Sequence, residues 1–113
     1  MKQFIYKICY KKDWIKAKKK GKFNGSKKDK MDGYIHFSNK NQIKRTLDKY
    51  FSKQKDLILL KIETLKLDSL VWEQASDGDV FPHLYSALDT LSVCNKYDII
   101  LNEDGSYTLP PVY

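Results

Sequence analysis

Two histidines and one glutamate stand in apolar surroundings in this 113-residue chain. His36 lies inside the segment GYIHFS (33–38), His83 follows Pro82 inside VFPHLY (80–85), and Glu73 directly follows Trp72. These are the chain's only two histidines, and aromatic and aliphatic residues rather than lysines flank them. An imidazole and a carboxylate within reach of each other are the usual kit for general acid–base chemistry. The two-residue period of a strand puts Tyr34, His36 and Ser38 on one face and sends Trp72 and Glu73 to opposite faces. A buried carboxylate without a partner is costly, so Glu73 needs a hydrogen bond or a solvated pocket. The plainer alternative is that each histidine is a partly buried side chain bonded to a backbone carbonyl or a tyrosine. Convergence of His36, Ser38, Glu73 and His83 on one concave site distinguishes the two readings.

Several other chemistries are excluded. Cys9 and Cys94 are the only cysteines, too few for a disulfide framework. With no CxxC, no HExxH and no second His beside either Cys, a zinc ligand set is lacking, and no metal is expected. Both cysteines adjoin apolar residues and are expected to be buried thiols. There is no Gly-rich phosphate loop, no GxSxG, and no carboxylate cluster dense enough for a calcium loop. Eight tyrosines and two tryptophans offer ring faces on which a base or a nicotinamide can stack. Of these, Trp14 also reads as a core residue on the apolar face of the first helix.

Charge supplies a second clue. The net charge is +7, and Arg45 is the only arginine. Residues 1–61 hold 19 basic and 5 acidic side chains, whereas residues 62–113 hold 2 and 9. Such asymmetry points to nucleic acid, an acidic surface or a polyanionic ligand, although a lysine-rich solvated surface produces the same composition. No apolar run approaches the roughly 18–20 residues of a membrane span. The lysine-interrupted start, MKQFIYKICYKKDW, has no signal-peptide core. The chain is therefore expected to be cytoplasmic, without membrane partners, monomeric, and a single domain over 1–113.

The elements that must position these residues follow from pattern. QFIYKICY (3–10) reads as a strand. A helix capped by Asp13 and carrying Trp14 and Ala17 on one face ends at Gly21. Residues 20–32, with two glycines and five lysines, read as a loop. GYIHFS is a second strand. Residues 39–53 form a helix capped by Ser38 or Asn39, with Ile43, Leu47, Tyr50 and Phe51 on its apolar face. DLILLKIET (56–64) is the most buried, central strand, and LVWEQA (70–75) is another, followed by the turn 76–79. Pro82 excludes 80–85 from being a regular central strand. Residues 86–91 form a helical turn. A strand over 92–101, broken near Asn95, is followed by a turn at 102–105 and a return strand over 106–109; Pro110 and Pro111 end the fold. Early helices and late strands argue for an α+β fold.

Taken together, these segments resemble domain-of-unknown-function family 952. The resemblance is carried by Ile5-Tyr6-Lys7-Ile8, Trp14, Ala17, Gly21, Asp32-Gly33-Tyr34-Ile35-His36-Phe37-Ser38, Gln42, Thr46, Tyr50-Phe51, Trp72-Glu73 and Phe81-Pro82-His83-Leu84-Tyr85. It spans nearly the whole chain, and departs at Ser86, where the family commonly has glycine. The family is similar to the ADP-ribosyltransferase superfamily, which implies a split, mixed β-sheet, two early helices and a nicotinamide-dinucleotide cleft. The opening is also similar to RNA 2′-phosphotransferases through His36 and Ser38. Those enzymes carry a His on the opening strand where this chain has Lys7 or its neighbours, which argues against their chemistry here.

The resemblance implies binding of NAD or a related nucleotide, with ADP-ribosyl transfer as the candidate activity. His36, Glu73 and His83 are the catalytic candidates; Tyr6, Lys7, Trp14, Tyr34, Ser38 and Tyr85 are the ligand-binding candidates. In this picture His36 bonds ribose hydroxyls, Ser38 positions the nicotinamide side, Glu73 orients a ribose hydroxyl, and His83 and Tyr85 complete the wall. The alternatives are a non-catalytic basic module that binds nucleic acid or nucleotides, and a protein-interaction domain.

Overall fold

The structure is a computed structural model and describes residues 2–110; Pro111 lies outside the described residues. It opens with strand β1 (Phe4–Tyr10) and helix α1 (Lys11–Lys20). Strand β2 (Lys22–Phe23), helix α2 (Lys27–Asp32) and strand β3 (Ile35–His36) follow. After a 3₁₀ turn at Lys40–Gln42 come α3 (Ile43–Tyr50) and β4 (Leu57–Glu63). The second half holds β5 (Leu70–Gln74), β6 (Val80–Leu84), β7 (Leu88–Asp89), β8 (Val93–Leu101) and β9 (Tyr107–Thr108). The fold is α+β.

Two sheets carry the architecture. One has the order β1-β4-β8-β9, the other β3-β6-β5, with β2 and β7 pairing separately. β4 is central and buried on both faces, which explains its continuous apolar run. Leu57 and Leu59 join Tyr6, Ile8, Ile43, Leu47 and Ile99 on one side. Ile58, Leu60 and Ile62 join Ile5, Cys9, Trp14, Ala17, Ile35, Phe37 and Leu84 on the other. α3 thus covers one face of the larger sheet, while α1 and the smaller sheet cover the other. Full burial of a Leu such as Leu59 (0% exposed) stabilises by roughly 1.5–3 kcal/mol.

The sheets meet at their edges. Tyr6 and Ser38 form a bridge in which each backbone N–H donates to the other's carbonyl at 2.8 Å. No β pairing carries the contact on to Ile8 and His36 among the described residues.

Several expectations are corrected. The described strand pairs are all antiparallel, not mixed. Three early helices form, not two, because residues 20–32 are not a loop: Lys22–Phe23 pairs with Leu88–Asp89, and α2 occupies 27–32. Asp13 lies in the first turn of α1, and Tyr10 is the residue at its N-cap. The helix expected over 39–53 begins as a 3₁₀ turn capped by Asn39 and ends at Tyr50. Residues 86–91 give the short strand β7 before a 3₁₀ turn at Thr90–Ser92.

β6, expected to be barred by Pro82 from a central place, is the middle strand of its sheet. The Pro82 carbonyl accepts the Phe37 N–H at 3.0 Å. The reciprocal bond, which proline cannot make, falls just beyond β3, where the ladder is already ending. Cys94 is exposed rather than buried. The register pairs Lys61 with Asn95 and Ile62 with Val93, so Cys94 is the extra residue of a β-bulge and leaves the inward alternation.

Candidate functional site

The register of the smaller sheet assembles the site. His36 stands directly opposite His83, and Val71 pairs with His83 on the other side, with Glu73 opposite Phe81. Opposed residues share a face and next-but-one residues return to it. One face therefore presents Tyr34, His36, Phe81, His83, Tyr85 and Glu73. The opposite face turns Ile35, Phe37 and Leu84 into the core.

On the polar face the rings pack closely. The Tyr34 ring lies 4.7 Å from that of His36, 4.1 Å from His83 and 5.2 Å from Tyr85, and the two imidazoles are 5.4 Å apart. Each imidazole has its own carboxylate. His83 Nδ1 lies 2.8 Å from Glu73 Oε1, which also accepts the Tyr85 hydroxyl at 2.6 Å. The Tyr85 and His83 hydrogen bonds hold the Glu73 carboxyl below the usual carboxylate range. The same Glu73 bond pushes the Tyr85 phenol up to about 12.

His36 Nδ1 lies 2.6 Å from Asp29 Oδ1, and its backbone N–H donates to the same oxygen at 3.1 Å. The other ring nitrogen, Nε2, lies 3.0 Å from Asp32 Oδ2. A neutral imidazole has one N–H, so both contacts are donated only by the doubly protonated ring.

Asp29 comes from α2, and local sequence explains its position. Ser26 Oγ accepts the Asp29 N–H while Asp29 Oδ2 accepts the Ser26 N–H, a reciprocal cap that starts the helix. Gly33, left-handed at φ 87°, ends it. Gly25 permits the approach: its φ is 101°, and a Cβ there would meet the Asp29 Cβ at 2.7 Å. The Asp29 Oδ2 atom also receives Lys7 Nζ at 2.8 Å, with both side chains almost fully buried. Burial alone would raise the Asp29 carboxyl. The His36 hydrogen bond, the Lys7 ammonium and the Ser26 N–H outweigh it and hold Asp29 well below the usual range.

Asp29 and Asp32 are the site residues that sequence reasoning missed. Two signals point to Asp29. One is the Ser26-x-x-Asp29 spacing with Gly33 after it, a helix signature inside what reads as a loop. The other is Lys7 in the buried strand FIYKICY, since a buried ammonium requires a counter-charge.

The polar face opens into a cleft of about 1020 Å³. Tyr6, Lys7, Tyr34, His36, Ser38 and His83 line it. Glu73 and Tyr85 lie outside the lining and reach it through His83 and Tyr34. Trp14 is not brought to the site; it is core, 3% exposed, with its indole N–H buried and unpartnered. The Ser38 hydroxyl is bonded to Thr46 Oγ1 at 3.0 Å. Ten cationic side chains line the cleft against four acidic ones. His83 lines the cleft, and no hydrogen bond to its Nε2 forms among the described residues. No group of three or more metal-ligating side chains forms among the described residues, and none of their helices is long and apolar enough to cross a membrane.

Comparison with known proteins agrees with this architecture. The family model described as "Protein of unknown function (DUF952)" matches residues 8–96. A crystal structure of protein CC0527 from Caulobacter crescentus is similar with a TM-score of 0.88 and 39% identity, over 94% of each chain. A solution NMR structure of CC0527 gives 0.81 and 41% identity, over 90% of this chain and 89% of that one. Curated proteins give no match.

Proposed function

The chain belongs to this family of proteins of unknown function, and from its cleft we propose that it binds a phosphate-bearing nucleotide of the NAD type and transfers its ADP-ribosyl group. The observation that carries the reading is the Glu73–His83 pair in the cleft, with one imidazole nitrogen held at 2.8 Å and no hydrogen bond to the other among the described residues. The surrounding donors fit a dinucleotide. Ammonium groups suit a pyrophosphate, and Tyr34 and Phe81 supply aromatic surface in the lining.

The proposed division of labour follows the hydrogen bonds. Glu73 is a positioning residue: it fixes the proton of His83 on Nδ1 and leaves Nε2 as the acceptor. His83 Nε2 takes the proton that the acceptor group loses as its bond to the ribose C1′ forms and the bond from C1′ to nicotinamide breaks. Nicotinamide leaves neutral, so charge balances. His36 has both ring nitrogens engaged by Asp29 and Asp32; its part is a wall held in place by those carboxylates, rather than the free hydrogen-bonding partner of ribose hydroxyls that the resemblance implies.

The test is calorimetry with NAD and with ADP-ribose on the wild type and on His83→Ala. Binding by the wild type that weakens at least tenfold in the variant supports the reading. Absence of binding to folded wild type at millimolar ligand contradicts it.

A further inference from the structure

α1 divides its lysines between two flanks. Trp14 and Ala17 face the core. On one side of them Lys12, Lys16 and Lys20 line the cleft, and all three are exposed. On the other, Lys18 and Lys19 border a separate hollow of about 290 Å³ with Lys96. The first set recurs every four residues, so the three side chains leave one helix face at points about 6 Å apart along its axis. That spacing is of the order of the distance between successive phosphates on an extended nucleotide strand.

None of Lys12, Lys16 and Lys20 has a carboxylate partner among the described residues, in contrast to Lys7, Lys28 and Arg45, which are paired with Asp29, Asp32 and Asp77/Asp79. An unneutralised row of cations repels itself and gains by receiving a polyanion. The row looks into a concave surface, which a flat bilayer cannot follow. It also shares that surface with aromatic rings, Tyr34 beside the imidazoles and Tyr50, 50% exposed, at the end of α3. Cations in a groove with aromatic side chains in its lining are the arrangement that holds unstacked bases and their backbone.

We infer that the cleft takes a single-stranded nucleic acid, its phosphodiester backbone lying along the Lys12–Lys16–Lys20 face of α1 and one nucleotide reaching toward the imidazoles. The inference rests on the proposed reading only in making that nucleotide the acceptor; strand binding itself stands apart from any reaction.

The experiment is fluorescence anisotropy with a labelled 15-nucleotide single-stranded RNA, titrated across salt concentrations. The variants are Lys12→Gln/Lys16→Gln/Lys20→Gln and, with the same change in charge, Lys18→Gln/Lys19→Gln/Lys96→Gln. All six positions are exposed, and thermal melting confirms that each variant folds. The expected result is at least a tenfold weaker complex for the first variant, with its log–log salt slope shallower by about 2, from about 0.7 per ammonium lost, and a change within twofold for the second. Equal weakening in both variants overturns the inference, as does wild-type binding by the first, or tighter binding of a duplex or of anionic vesicles than of the single strand. Loss of strand binding in the first variant, together with no NAD binding by the wild type, leaves this inference standing and removes the transferase reading.

Discussion

Asp29 Oδ1 lies 2.6 Å from His36 Nδ1, and the carboxylate's other oxygen lies 2.8 Å from the buried ammonium of Lys7. This carboxylate ties the first strand, the second helix and the histidine-bearing strand together at the place where the two sheets part. Removing one partner of such a buried set leaves an uncompensated charge, which typically costs about 3–5 kcal/mol. Asp29→Ala is therefore expected to lower unfolding stability by about that amount in urea denaturation. Replacing the ion pair whole, in Lys7→Met/Asp29→Leu, is expected to recover only the part due to the unpaired Lys7, because His36 and the Ser26 N–H lose their acceptor in both variants.

The same carboxyl sets an acid limit. Its folded-state pKa lies below the unfolded value of about 3.8, so its contribution is fully present above that pH and is lost as the solution is acidified through the folded value. Thermal melting between pH 2 and pH 6 is expected to show a steeper fall below about pH 4 for the wild type than for Asp29→Asn. Parallel curves would contradict the assignment.

Ser26→Ala removes half of the reciprocal cap on α2. The expected cost is about 1 kcal/mol, typical of a lost N-cap side chain. Because α2 carries Asp29 and Asp32, nucleotide affinity is expected to fall with it, whereas a cap change remote from the cleft moves stability alone. Chemical denaturation and calorimetry on the one variant measure both effects.

Glu73 is solvent-accessible, so Glu73→Gln is expected to leave the melting temperature near that of the wild type. Its effect is on His83. Long-range proton–nitrogen NMR is expected to place the His83 proton on Nδ1 in the wild type, and to show a mixture of tautomers in Glu73→Gln. A single unchanged tautomer in both would show that Glu73 does not orient the ring.

Legibility from sequence followed the range of the interactions involved. β1, β4, β5 and β8 announce themselves by apolar content, and Gly21 marks the end of α1. The shared face of Tyr34, His36 and Ser38 follows from a two-residue period alone. What stayed hidden depends on partners distant in sequence or on competing local signals. Pro82 reads as a strand breaker because its tolerance depends on where β3 stops. Cys94 reads as buried because a bulge in register with Lys61 and Ile62 is invisible locally. Asp29 lies among five lysines whose charge density conceals a six-residue helix, and its importance appears only when Lys7 and His36 are brought to it from either side.

The most direct test of the account follows both histidines by long-range proton–nitrogen NMR during titration of the folded wild type with NAD. The account predicts a shift at His83 Nε2 larger than any at His36, and a retained proton on His83 Nδ1. An unperturbed His83 at millimolar NAD, or a response confined to His36, would contradict it.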